Sequence, residues 1–111
     1  TLADWWENLA SEKEKANVAA YFHLTPAKPT AKEVAAVKTD AARMALLRAA
    51  LGSVADRAII PMADWLGLGA EAHLNTPGKM GGNWIWRAKA GYAAKALAAE
   101  IRAECEVYCR A

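Results

Sequence analysis

The stretch RAIIPMADWLGLG, Arg57 to Gly69, decides how the fold is read. Its first half is a short apolar run ending in a proline, the pattern of a strand buried on both faces. Strands of that kind usually belong to parallel sheets surrounded by helices. Its second half, from Ala63, spells one tight helical turn closing on glycines. A single strand cannot satisfy its own backbone N–H and C=O groups. The expectation is therefore a mostly α chain with one short buried strand at 58–62, forming part of a larger α/β fold.

Upstream, the periodicity is helical. Leu2, Trp5, Trp6 and Leu9 have the i, i+3, i+4, i+7 spacing of one face, and Thr1 with Asp4 resembles a capping box. Ser11 with Glu14 and Thr30 with Glu33 repeat that signature more clearly. Pro26 and Pro29 mark a loop, and Gly52 closes a helix carrying Met44, Leu47 and Leu51. The helical region thus covers 2–51. Downstream, 71–87 reads as a loop and 91–110 as an amphipathic helix with Leu97, Ile101, Cys105 and Tyr108 along one stripe. The chain is expected to be a single unit over 1–111.

The 111 residues suffice for one small domain, and 55% hydrophobic with 23% charged residues reads as globular. A net charge of +2 with interleaved signs does not argue for a nucleic-acid partner. No apolar run approaches a membrane span, and the start does not resemble a signal peptide. Beginning at Thr1, the chain reads as a piece of something longer. Cys105 and Cys109 lie four apart in a helix, poorly oriented for a disulfide, and only His23 and His73 could join them around a metal. Packing thiols in the cytoplasm are the expectation, with no metal and no cofactor.

Asp64 and Glu71 flank the strand end and the glycine turn, where binding groups or simple caps and ion pairs would both fit. His23 reads as closing a helix. Asn75 either starts a turn on its own backbone or offers donor and acceptor to a pair of sugar hydroxyls. Trp84 and Trp86 would point to opposite sides of an extended segment, one inward and one towards a cleft, where an indole can stack on a pyranose face.

The run AIIPMADWLGLGAEAHLNTPGKMGGNWIWR, Ala58 to Arg87, resembles the C-terminal signature of the 4-α-glucanotransferases, also called amylomaltases or disproportionating enzymes. Asn-x-Pro-Gly followed by Gly-Asn-Trp-x-Trp-Arg is its specific part, and the opening TLADWW is similar to the family's T-L-x-G-W-W. Departures are Ala63 for the family's Gln, His73 for Arg, Leu74 for Met and Asp4 for Gly. The resemblance implies the C-terminal part of a (β/α)₈ barrel, with 58–62 as its eighth strand. It also implies retaining transfer of α-1,4-glucan between maltooligosaccharides, without a cofactor. The catalytic carboxylates would lie upstream of Thr1, so this chain would carry no catalytic residue. Asn75, Thr76, Pro77 and Gly78 would touch substrate, while Asp64, Asn83, Trp84 and Arg87 would shape the site. An isolated copy could self-associate through its orphan strand. The alternative is a self-standing helical module whose tryptophans bind a protein.

Overall fold

The computed structural model describes residues 1–110. Helix α1 (Leu2–Asp4) runs directly into a π-helical turn, Trp5–Leu9. Then come α2 (Glu12–Tyr21), α3 (Ala31–Ala35), α4 (Thr39–Leu51), α5 (Met62–Trp65), a 3₁₀ turn (Ala70–Ala72) and α6 (Lys95–Val107).

Local chemistry explains most boundaries. Both capping boxes form: Ser11 with Glu14 opens α2, and Thr30 with Glu33 opens α3. Thr1 Oγ1 accepts from Asp4 N, but the Asp4 carboxylate does not return the bond. Three helices stop in the same way. After α2, α5 and α6 the chain turns left-handed at His23 (φ 56°), Gly67 (φ 66°) and Cys109 (φ 54°). In each case the next amide reaches back five residues: Leu24 N to Ala19 O, Leu68 N to Ala63 O, and Arg110 N to Cys105 O. The π turn has a visible cost to the apolar face. Leu9 at its end is 64% exposed, and the residues expected on one stripe divide, Trp5 and Trp6 going to one cluster and Leu2 to the other.

The interior is two small clusters. Trp6 packs with Ala19 and Ala42, flanked by Trp5 and Val18. Leu47, Leu51 and Trp65 form the second, onto which α6 lays Leu97, Ile101, Cys105 and Tyr108. Arg110 ties α6 to the end of α4, its guanidinium donating to the carbonyls of Leu51, Ser53 and Ala55. Arg48 and Glu104 add an ion pair between the same helices, which holds the Glu104 carboxyl below the usual range.

The expected strand at 58–62 is not there: no strand occurs among the described residues. The reading as a barrel strand falls with it. Among the described residues no strand pairs with the segment before α5 to complete a ladder. Its side chains alternate instead. Ala58, Ile60 and Met62 pack on the second cluster, while Ile59 is 92% exposed. A continuous apolar run suggested two covered faces, and this chain covers one. The last helix also begins at Lys95, inside the expected 91–110 span.

Two measurements test these helix ends. Replacing His23 by Gly should raise stability by about 0.5–1 kcal/mol, because glycine occupies the left-handed conformation without strain, less its own chain entropy. Chemical denaturation checks it. The hydroxyl of Ser11 holds Glu14 below the usual glutamate pKa, and the amide of Thr30 does the same for Glu33. Depressed carboxylates stabilise at and above the ordinary glutamate range, and that contribution is lost as pH falls through their lowered values. The melting-temperature advantage of wild type over E14Q/E33Q should therefore exist at neutral pH and vanish in acid.

Candidate functional site

The loop following α5 is anchored through Asp64. Arg43, buried on α4, donates from Nη1 to Asp64 O at 2.7 Å and to Trp65 O at 3.4 Å. Its Nε reaches Asp40 Oδ1 at 3.1 Å. The Asp64 carboxylate accepts from Leu2 N at 2.7 Å, filling one of the orphan donors at the start of α1. A second carboxylate crosses in the other direction. Buried Asp4 places Oδ2 3.1 Å from His73 Nε2, and its Oδ1 accepts from Asn8 Nδ2 at 2.8 Å. The N-terminal helix and the segment 64–73 are thus strapped together twice.

Beyond His73 the loop is closed by its own polar groups. Thr76-Pro77-Gly78-Lys79 forms a turn, with Lys79 N donating to Thr76 O at 3.2 Å and Gly78 at φ 79°. Proline second and a left-handed glycine third are what a type II turn requires. Asn83 spans this turn: its Oδ1 accepts from Thr76 N at 2.8 Å, and its Nδ2 donates to Lys79 O at 2.9 Å. Trp84 N bonds Leu74 O, bringing the two limbs together. Arg87 Nη1 donates to Trp84 O and Trp86 O.

Two hollows flank this loop. One, of about 500 Å³, includes Asp64, His73, Leu74, Asn75 and Trp86 in its lining. The other, of about 510 Å³, includes Glu71, His73, Thr76, Lys79, Asn83 and Trp86. Asn75 is exposed on the first, and its amide bonds no other described residue. The self-bonded turn considered for Asn75 is not formed; the turn begins one residue later. Pro77 and Gly78 sit exposed at the turn, outside both linings. Arg87 borders a smaller hollow of about 320 Å³ with Glu71, Trp86 and Tyr92.

Trp84 is 65% exposed and lines none of the three, whereas Trp86 borders all of them. The expected parting of the two indoles assumed an extended segment, which Trp84 does not adopt, and the spacing left open which indole would meet a cleft. Trp84 also holds φ 63°, a conformation worth roughly 1–3 kcal/mol of strain for a bulky residue. Sequence reasoning weighed Trp86 as one of two indoles that could meet a cleft, but counted neither it nor His73, the two residues common to both main hollows, among the site residues. It overlooked Arg43 as well, since a helical arginine reads as solvent-facing unless its partners are known.

A further hollow, about 630 Å³, lies between Phe22, Met44, Arg48 and Tyr108 and shares no residue with the loop. Among the described residues no group of three or more His, Cys, Asp or Glu side chains could hold a metal ion. None of the described helices is long and apolar enough to cross a membrane. The carboxylates near the loop are engaged: Asp64 with Leu2, Asp4 with Asn8 and His73, and Glu71 with Gly69 N at 3.0 Å.

Replacing Asn83 by Ala should leave global stability nearly unchanged, since the loop is mostly exposed. It should nonetheless speed amide exchange at Thr76 and Lys79 severalfold, because one amide loses its acceptor and the turn loses its brace. Residue-resolved hydrogen exchange checks this.

The model of the family described as 4-alpha-glucanotransferase matches residues 1–93. A 4-alpha-glucanotransferase of Clostridium butyricum is 32% identical over 110 residues, covering 99% of this chain and 20% of that protein. That of Aquifex aeolicus is 38% identical over 94 residues, covering 85% of this chain and 17% of the relative. The chloroplastic/amyloplastic 4-alpha-glucanotransferase of Solanum tuberosum is 37% identical over 87 residues, covering 78% of this chain and 13% of the relative. The chain therefore spans only 13% to 20% of the length of these relatives. No solved structure matches it. With the Asn75–Arg87 signature folded as one braced loop and the family model covering most of its length, the chain belongs to the 4-alpha-glucanotransferase family.

Proposed function

We propose that this chain forms one wall of the glucan-binding groove of a retaining 4-α-glucanotransferase, an enzyme that moves α-1,4-glucan segments between maltooligosaccharides. The observation that carries this reading is the exposed, unengaged amide of Asn75 on a hollow it shares with the indole of Trp86. An amide offers both donor and acceptor to neighbouring sugar hydroxyls, and an indole offers a flat apolar surface to a pyranose ring. Thr76, Pro77 and Gly78 continue the contact surface. Asp64, Asn83, Trp84 and Arg87 shape it by bracing the backbone from behind.

Retaining chemistry needs a carboxylate nucleophile and a carboxyl acid/base about 5 Å apart. The carboxylates beside this loop hold the chain's own donors, so they are poor candidates for either task. The reactive pair is proposed to come from the rest of the parent polypeptide, and this chain alone to be inactive. Such a mechanism needs no cofactor. The two free thiols suit a reducing compartment such as the cytoplasm.

The full-length parent should disproportionate maltotriose into shorter and longer oligosaccharides, and the 111-residue chain should not. In the parent, Asn75→Ala should lower kcat/KM by about tenfold, the effect of losing one or two hydrogen bonds to substrate. A folded parent that leaves maltotriose untouched would refute the enzyme assignment.

A further inference from the structure

The imidazole of His73 has a neighbourhood that the glucan-groove reading leaves unused. Its partner Asp4 is only 4% exposed, and a carboxylate flanked by an Asn8 amide donor can only accept. The proton of a neutral His73 is therefore drawn to Nε2, 3.1 Å from Asp4 Oδ2. Nδ1 is left with a lone pair. Among the described residues no group hydrogen-bonds Nδ1, and the side chain is 34% exposed. It borders both hollows, in each of them together with Trp86.

We propose that His73 is a sugar-binding residue: Nδ1 accepts a hydrogen bond from one glucosyl hydroxyl of the bound α-glucan, and Asp4 holds the ring in the tautomer that makes this possible. The proposal rests on the glucan-groove reading and adds to it a fixed acceptor. Asn75 stands two residues along the same strand of loop and can adapt, because its amide presents either sense of hydrogen bond. A neutral imidazole locked in one tautomer presents one sense only at Nδ1. Paired with the Trp86 indole, it suits a saccharide ring, which shows an apolar face and a rim of hydroxyl donors. Asp4 touches no substrate in this arrangement and is a positioning residue.

The test uses the full-length parent labelled with nitrogen-15 at histidine, together with a thio-linked maltotetraose that cannot be cleaved and its monodeoxy analogues. On saturation, the Nδ1 resonance of His73 should move while Nε2 stays protonated. One monodeoxy analogue should fail to move it and should bind about tenfold more weakly. In His73→Phe the thio-sugar itself should bind about tenfold more weakly, and discrimination against that analogue alone should disappear. Uniform weakening towards every analogue would mean that His73 only supports the loop, and would overturn the proposal. Binding by wild type with a silent Nδ1 would overturn it while leaving the glucan groove standing. Absence of any binding would remove both. The wild-type resonance decides the matter even where the variant does not fold.

Discussion

Everything near the candidate site depends on how the backbone around Asp64 is held. Its side chain accepts from the first amide of α1, and its carbonyl accepts from Arg43 of α4. One residue thus joins three helices that are far apart in sequence. Hydrogen bonds involving a charged group contribute roughly 1.5–3 kcal/mol each. For a chain with two small clusters in place of one large core, contributions of that size matter. The arrangement also takes Asp64 out of chemistry, because its carboxylate is needed where it is.

The loop hung from this anchor is braced by polar groups more than by packing. Asn83 closes the turn, Trp84 N and Leu74 O join the limbs, and Arg87 donates to the carbonyls of both tryptophans. The question raised by so much aromatic surface in a glycine-rich loop has a divided answer. Trp86 is the partition between hollows, while Trp84 stands outside them in a strained backbone conformation. Strain of this kind persists only where surrounding bonds over-determine the geometry, and the Arg87 and Leu74 contacts do so here.

Much of the site was legible before any coordinates. A turn at Pro77-Gly78 follows from proline and glycine chemistry alone, although it begins at Thr76 and not at Asn75. The family signature pointed to the same loop. What could not be read was which side chains would meet across it. Asp4 and His73 lie far apart along the chain and gave no joint signal, yet they form the second strap, and His73 borders both hollows beside the loop. Arg43 was hidden for the same reason: periodicity ranks an arginine as exposed, and its acceptors on α5, with Asp40 on its own helix, make burial tolerable.

Taken alone, the sequence determined the features governed by neighbours within five residues. The two capping boxes, the apolar stripe of α6 and the glycine-closed end of α5 belong there, because their partners are local and their geometry is nearly obligatory. Tertiary structure decided what depends on distant partners. Ala58–Met62 has the composition of a buried strand, but strand is a property of a pair, and among the described residues no second strand lies beside it. Likewise, the spacing of Trp84 and Trp86 left open which indole would meet a cleft, and the folded loop set Trp86, not Trp84, on the hollows.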